Sequence, residues 1–237
     1  MTIDPAELLT YGLHLGHKKN KIHPKAQRYI YSIEKGISII DLFQTAECLE
    51  VAKKFIASLA KEQKELIVVA SKKGAREVVT EICKEHNIPH MTNKWVGGFL
   101  TNFDQVLKNI NKMNQMRQEE TEGAWNELPK HERTALHKKL HRIETIYGGV
   151  AMVSKHPDAL FIVDIRKEHN AANEAQQCGI PTVAVVDTNV NPENIQYPIP
   201  ANDDAVLSVK YITEAIINAY VENKQTEEPK SEKKVKK

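Results

Sequence analysis

The sequence has few cysteines, little excess charge and no long apolar run. Cys48, Cys83 and Cys178 are widely spaced and odd in number, which argues against a disulfide framework and indicates a reducing compartment. No segment approaches the roughly 20 apolar residues that a membrane helix needs. The first residues also lack the basic and apolar regions of a secretory signal. We therefore expect a cytoplasmic protein without a membrane partner.

The total charge says little about partners, because 33 Lys and Arg stand against 31 Asp and Glu. The cations are nevertheless unevenly placed. Residues 12–28 and 129–142 are rich in Lys and Arg, and the tail at 224–237 is rich in Lys. Such basic islands attract phosphates whatever the base sequence. RNA is favoured over DNA because no helix-turn-helix or zinc-finger spacing occurs.

Predicted strands and helices alternate on both sides of a purely helical interval. Apolar runs at 29–31, 37–40, 66–70, 159–163 and 182–186 predict strands, and amphipathic spacing predicts the helices. This alternation predicts an α/β class: a Rossmann-like (flavodoxin-like), mostly parallel sheet with helices on both faces. The predicted division is an α/β domain at 1–102 and 151–222 with the basic N-terminal segment 12–28, an inserted helical hairpin at 103–150, and a disordered basic tail at 223–237.

The helical interval carries two heptad-like apolar seams. One seam runs from Phe103 to Met113 and the other from Leu136 to Val150. They predict a protruding antiparallel coiled-coil hairpin, although ordinary core helices would show short seams of the same kind. The glycine pairs 97–98 and 148–149 flank the interval and suit a hinge or docking role.

Fingerprints of nucleotide enzymes and hydrolases are missing from the sequence, including Gly-x-Gly-x-x-Gly, the P-loop and the nucleophile elbow. Residues 70–75 follow a predicted strand and open a helix, so their N–H groups could hold a phosphate or simply be solvated. We expect a protein that is not an enzyme and takes no small-molecule substrate. An α/β enzyme acting on a phosphorylated small molecule stays the alternative, and nothing in the sequence speaks to an adhesion or receptor role.

Acidic residues end two predicted strands and open the last helix, at Asp164, Asp187 and Asp203. The carboxyl ends of parallel strands share one edge of a sheet, so these side chains could converge. His14 and His17 lie near each other in the sequence. Imidazoles and carboxylates together suit Zn²⁺ or another divalent ion. Helix caps and salt bridges to nearby lysines are the alternative explanation.

Seven short motifs follow one another between about residues 7 and 221. They are 12–17, 36–42, 94–103, 157–164, 179–181, 186–189 and 199–205. In this order they resemble the family of bacterial-type small-subunit ribosomal protein S2. The resemblance implies a Rossmann-like domain with a coiled-coil hairpin. It also implies a structural, non-catalytic role in the small ribosomal subunit.

The same resemblance implies partners and a metal ion that only some family members bind. The partners are small-subunit ribosomal RNA, at the head–body junction on the solvent side, and neighbouring proteins that include the messenger-RNA-binding S1 protein. No cofactor is required, although some family members hold Zn²⁺. Carried onto this chain, the zinc ligands are His17, Asp187 and Asp203, with His14 and Asp204 as alternatives.

We expect RNA contacts from the basic segment, from two loops and from the hairpin, with one tryptophan stacking on a base or ribose. Packing of this tryptophan, Trp95, under the root of the hairpin is the alternative. The predicted RNA-binding residues are Lys18, Lys19, Lys21, Lys25, Arg28, Lys72, Lys73, Lys94, Trp95, Lys108, Lys112, Arg117, Lys138, Lys139 and Arg142.

Overall fold

The computed structural model describes residues 3–224, so the predicted tail lies outside the described residues from 225 onward. The helices are α1 (Pro5–Thr10), α2 (Leu42–Lys61), α3 (Lys73–Glu85), α4 (Phe103–Thr121), α5 (Lys130–Tyr147), α6 (His169–Cys178) and α7 (Val206–Val221). The strands are β1 (Leu15–Lys18), β2 (Ile30–Glu34), β3 (Ile37–Ile40), β4 (Leu66–Val69), β5 (His90–Met91), β6 (Ala159–Ile162), β7 (Thr182–Val186) and β8 (Tyr197–Pro200). No helix between residues 3 and 224 is long and apolar enough to cross a membrane.

The larger sheet has five parallel strands in the order β5-β4-β6-β7-β8. Counted along the chain from β4, this is the 2-1-3-4-5 order of flavodoxin-like folds. Every residue of β4, β6 and β7 is buried, because helices cover both faces of the sheet. The predicted α/β fold with a Rossmann-like parallel sheet is confirmed.

The two faces of this sheet belong to two separate apolar clusters. Leu66 and Val68 of β4 pack with residues of α2, α3 and α7. Ile67 and Val69 pack on the other face with residues of α4, α5 and α6. One apolar run serves both clusters because successive side chains of a strand point to opposite faces.

The helices α4 and α5 fill most of the predicted hairpin interval and run antiparallel. Asn109 approaches Tyr147 near one end of the pair, and Glu120 pairs with His137 further along. Ile110 is fully buried in the cluster that also covers the sheet, so the seam of the pair is continuous with the main core. Coiled-coil packing, protrusion and the division of the chain into domains stay predictions.

A second, three-stranded antiparallel sheet precedes the large one, in the order β1-β3-β2. The sequence predicted β2 and β3 but not β1, which lies inside the basic segment. A Cβ on Gly16 of β1 would lie 2.6 Å from Ser38 Oγ and 2.7 Å from Thr188 Cγ2. The backbone N–H of His17 also donates to Thr188 Oγ1 at 2.9 Å. The basic segment is therefore seated against the carboxyl end of β7.

The two glycine pairs beside the hairpin differ in their surroundings. A Cβ built on Gly149 would lie 2.2 Å from the carbonyl oxygen of His90, whereas one on Gly97 would meet nothing within 4 Å. His90 is held by the parallel pairing of β5 with β4. Gly149 therefore permits a close approach of two backbone segments, which agrees with a docking role at this end of the hairpin.

Replacing Gly149 by alanine should lower the free energy of unfolding by about 2 kcal/mol, because the new methyl group forces the two backbones apart. Urea unfolding of the full chain measures this change. Gly97→Ala is the matched control and should stay within roughly 0.5 kcal/mol of the wild type. Equal stability of the Gly149→Ala variant and the wild type would contradict the close approach.

Candidate functional site

Four carboxylates converge at the carboxyl edge of the large sheet. Asp164 follows β6, Asp187 follows β7, and Asp203 and Asp204 lie between β8 and α7. Lys72, just before α3, reaches into this cluster. Its Nζ lies 2.6 Å from Asp204 Oδ1, 2.7 Å from Asp203 Oδ1 and 3.4 Å from Asp164 Oδ2. The centre of the acidic edge thus holds an ammonium group of the same chain.

The charges in this cluster do not balance. Burial raises the pKa of Asp203 to about 7, and the charges of Asp164 and Asp187 add to the effect. The hydrogen bond from Lys72 lowers the pKa of the more exposed Asp204. Burial alone would lower the pKa of Lys72, but its hydrogen bonds to Asp203 and Asp204 outweigh burial and raise it. One ammonium does not neutralise four nearby carboxylates, so the edge favours a further proton or cation.

His17 of β1 places an imidazole at this edge. Its Nδ1 lies 3.1 Å from Asp187 Oδ2, and its Nε2 lies 3.6 Å from Asp204 Oδ2 and 2.9 Å from Asn189 Nδ2. The nearby Asp187 carboxylate raises the pKa of His17, and burial opposes the rise. The N-terminal sheet therefore delivers an imidazole to carboxylates that the large sheet has gathered.

The residues present fit a divalent cation. One ligand atom each from His17, Asp187 and Asp204 can be chosen so that all three lie within 4.8 Å of one another. His17 Nδ1 and Asp187 Oδ2 are both buried, and despite their short separation neither makes a hydrogen bond of good geometry. An imidazole and two carboxylates are ligands that zinc accepts, with a fourth position left for water or a partner.

The predicted zinc ligands are only partly brought together. His17 and Asp187 belong to the group, and its third member is the alternative Asp204 rather than Asp203. Lys72 contacts one oxygen of each of these two carboxylates, but the second oxygen of Asp204 faces His17. His14 lies outside the group, although its Nδ1 is buried without a hydrogen-bond partner in the described chain.

Flavodoxin-like folds bind ligands where the strand order reverses, here between β4 and β6. Groups of this chain fill that position. The N–H and hydroxyl of Ser71 both donate to the buried carboxylate of Glu168, and the Lys167 ammonium donates to the Ser71 carbonyl. The loop 70–75 thus turns the Ser71 N–H toward a carboxylate of the same chain. This arrangement counts against the alternative of an enzyme for phosphorylated small molecules.

Trp95 is placed differently from the predicted stacking residue. Its side chain is only 6% exposed, and its indole N–H donates to Glu174 of α6 at 3.1 Å. The same carboxylate accepts the backbone N–H groups of Gly98 and Leu100 at 2.8 and 3.0 Å. The ring also packs on Phe99, with 5.0 Å between ring centroids. Trp95 therefore supports the turn before α4, and its ring has no open face for a base.

The predicted RNA-binding cations divide into paired and unpaired groups. Lys25 pairs with Glu193, Arg117 pairs with Glu144, and Lys72 lies in the acidic edge. The remaining cations are exposed, and none of them has an ion pair within residues 3–224. They are Lys18, Lys19, Lys21, Arg28, Lys73, Lys94, Lys108, Lys112, Lys138, Lys139 and Arg142.

Sequence reasoning missed Asn189 and Glu174. Asn189 follows Asp187 by two residues at the end of β7, so the signal that selected Asp187 was available for it as well. Glu174 has no such signal, because a carboxylate in the middle of a predicted helix is usually a solvated residue. Only the fold brings it to three N–H groups of another segment.

Comparisons with known proteins identify relatives over most of the chain. The family model described as ribosomal protein S2 matches residues 8–223. A small ribosomal subunit protein uS2 from Cytophaga hutchinsonii is 41% identical over 214 residues, which cover 90% of this chain and 84% of the relative. The protein of the same name from Chlorobium chlorochromatii is 40% identical over 217 residues, which cover 90% of this chain and 86% of the relative.

Replacing Lys72 by methionine should lower the free energy of unfolding by about 2–3 kcal/mol at neutral pH or above, because buried carboxylates lose their counter-ion. A carboxyl with a raised folded-state pKa binds its proton more tightly when folded, so its ionisation costs stability as the pH rises. Lys72 itself lowers the pKa of Asp203, so without Lys72 this carboxyl should take up its proton above pH 7, and the loss should shrink as the pH falls toward about 7. Unfolding of metal-free protein as a function of pH measures both effects.

Asp203→Asn in the Lys72→Met background provides the control, since it removes one of the uncompensated charges. The double variant should recover part of the lost stability, and the two changes should not be additive. A Lys72→Met loss that is the same at all pH values and is unaffected by Asp203→Asn would contradict the charge argument.

Proposed function

The chain belongs to the ribosomal protein S2 family, and from this premise we propose that its exposed basic segment binds small-subunit ribosomal RNA. As a member of that family the protein is a structural constituent of the small ribosomal subunit, a cytoplasmic particle in bacteria. The proposed contact lies at the head–body junction, on the solvent side. The protein acts there by holding RNA and neighbouring ribosomal proteins in place, without catalysis.

The observation that carries this proposal is the unpaired charge of the basic segment. Lys18, Lys19 and Lys21 are exposed along the edge strand β1 and the turn that follows it, and no described carboxylate pairs with them. The same strand is held by Gly16 and Thr188 against the large sheet. Cations on a fixed backbone give phosphate contacts that position a protein on RNA, because little backbone freedom remains to be lost on binding.

The helical pair supplies a second set of cations. Lys138, Lys139 and Arg142 lie exposed on α5, and Lys108 and Lys112 lie exposed on α4. Apolar residues of both helices face the core, so the cations occupy the outward side. We propose that these residues contact a further stretch of the ribosomal RNA backbone.

A protein partner is proposed from the exposed apolar residues near the basic segment. Tyr31 of β2 is 75% exposed and Phe43 at the start of α2 is 71% exposed. Large exposed aromatic residues are typical anchors of protein interfaces. We propose that this side of the N-terminal sheet helps to dock the messenger-RNA-binding S1 protein among the neighbouring small-subunit proteins.

A zinc ion is proposed at His17, Asp187 and Asp204, as an addition to the fold rather than a required cofactor. The support is that His17 Nδ1 and Asp187 Oδ2 are buried without a hydrogen bond, and that negative charge is in excess at this edge. Bound Zn²⁺ would supply positive charge where the N-terminal sheet meets the large sheet. The two sheets would then share a ligand set.

Neutralising the basic segment should weaken incorporation into small subunits. In a Lys18→Gln, Lys19→Gln and Lys21→Gln triple variant, each lost phosphate contact should reduce the slope of log affinity against log salt by roughly one. Reconstitution of subunits at several salt concentrations, followed by gradient sedimentation, measures this slope.

The matched control removes three exposed cations from the other side of the fold. Lys54, Lys61 and Lys84 lie on α2 and α3 and have no ion pair among the described residues. Their replacement by glutamine makes the same change in net charge and should leave incorporation unchanged. Equal behaviour of the two triple variants would refute the assignment of the basic segment to RNA.

Purified full-length protein should take up close to one zinc ion per chain and gain thermal stability on zinc addition. Asp204→Asn should remove most of that uptake, because it deletes one of three ligands. Asp104→Asn, at an exposed position of α4, is the control and should bind zinc normally. Elemental analysis and thermal unfolding give the two readouts, and uptake that is independent of Asp204 would rule out this ligand set.

A further inference from the structure

A cleft of about 280 Å³ opens at the carboxyl edge of the large sheet, beside the acidic cluster. Its walls are the loop between β6 and α6, the loop between β7 and β8, and the basic segment at His23. The cleft is near the lower end of the size range of small-molecule sites, roughly 300 Å³. It therefore accommodates one compact group rather than an extended chain.

The polar lining of this cleft contains one guanidinium, two imidazoles and several amides, and no carboxylate. Arg166 and His169 are exposed and line it, and neither has a hydrogen bond or ion pair to its side chain within residues 3–224. His169 is also the first residue of the ten-residue helix α6, so the positive end of a helix dipole faces the same region. These groups favour an anion such as a phosphate.

The second imidazole of the cleft is oriented as a donor. His23 Nδ1 accepts the backbone N–H of Lys25 at 3.2 Å, so the proton of the neutral ring lies on Nε2. His23 is itself anchored by its backbone N–H, which donates to the Thr188 carbonyl at 2.8 Å. The basic segment therefore contributes a fixed N–H donor to the cleft.

The rest of the lining combines side-chain amides with aliphatic groups. The carbonyl oxygen of Asn191 accepts the N–H of Glu193, which leaves the Asn191 NH₂ group for another partner. Asn173 and Asn194 also line the cleft. Ile165 and the largely buried Val190 and Ile195 add apolar surface. Amides beside aliphatic side chains match a nucleobase, which has a polar edge and apolar faces.

The neighbouring clefts differ in a way that singles this one out. The switch point between β4 and β6 is filled by Ser71 and Glu168. The larger cleft beside the hairpin is lined by Arg117 and Glu144, which already pair with each other. The cleft at Arg166 is lined by this guanidinium and by the side-chain amides of Asn173 and Asn194, which have no hydrogen-bond or ion-pair partner within residues 3–224.

We propose that the cleft formed by Arg166, His169, His23 and the asparagines 173, 191 and 194 binds one unpaired nucleotide of RNA. The phosphate lies at Arg166 and His169, and the base lies against the aliphatic side chains with its edge at the amides. This inference rests on the proposed RNA-binding function and names a subsite of it. The unpaired nucleotide anchors RNA next to the basic segment, which binds the adjoining backbone.

The test is an NMR titration of the full-length, isotope-labelled protein with a single-stranded RNA of about six nucleotides, a length that single-strand sites commonly span. The side-chain amide signals of Asn173, Asn191 and Asn194 should shift and saturate. The Arg166→Gln and His169→Gln double variant should weaken the affinity at this cleft by about tenfold, as expected when charge-assisted phosphate contacts are lost. The Lys54→Gln and Lys61→Gln variant is the control and should titrate like the wild type.

Two further ligands distinguish the chemistry of the site. Adenosine monophosphate should shift the same signals more weakly than the RNA, whereas tighter binding of the mononucleotide than of RNA would overturn the assignment to RNA. Inorganic phosphate should leave the asparagine signals nearly unchanged, and shifts equal to those of the mononucleotide would overturn the base contact. Absence of any shift at about 10 mM mononucleotide and saturating RNA would overturn the proposal as a whole.

The titration and the incorporation assay can fail separately. Normal incorporation of the Lys18, Lys19 and Lys21 variant refutes the basic-segment assignment even if the cleft binds a nucleotide. Conversely, a salt-dependent incorporation defect of that variant would still support the basic-segment assignment if the cleft did not bind RNA.

Discussion

The structure depends on the neutralisation of acidic side chains at the carboxyl edge of the large sheet. A parallel sheet brings its strand ends to one edge, and here four of the positions beyond those ends are aspartates. Lys72 and His17 contact these carboxylates and offset the repulsion among them. Lys72 comes from the connection between β4 and α3, whereas His17 comes from the N-terminal sheet. The acidic edge is therefore also the joint between the two sheets.

That joint helps to explain why this ligand-binding topology has no open crevice at its switch point. The switch point between β4 and β6 is filled by the contact of Ser71 with Glu168, and the acidic edge beside it is covered by β1. Groups that a nucleotide enzyme would turn toward its ligand are satisfied within the chain. The charges left over lie on the covering segment, and they point outward. The same local arrangement thus fills the switch point and leaves the unpaired cations of the covering segment on the outer surface.

Much of the large sheet could be predicted from the sequence, because β4, β6 and β7 are buried on both faces and leave continuous apolar runs. Strand β1 could not, since none of its four residues is fully buried, their exposure does not alternate, and the strand ends in the basic residue Lys18. Strand β5 has only two residues and follows Asn87 and Pro89, which signal a helix end rather than a strand. Its pairing with β4 is a tertiary contact that no local pattern encodes.

The candidate site shows the same difference between what local sequence predicts and what only tertiary contacts decide. The sequence could identify which residues carry charge, but not which charges are already paired inside the chain. Lys72 and Lys73 are neighbours with the same side chain, yet one lies among aspartates and the other is exposed. Trp95 shows the same limit for an aromatic residue, because its availability depends on Glu174, far away in the sequence. The tertiary fold decides which of two chemically identical residues is free to contact RNA. Among the predicted RNA-binding cations that are unpaired within residues 3–224, most lie on the N-terminal segment and the helical pair.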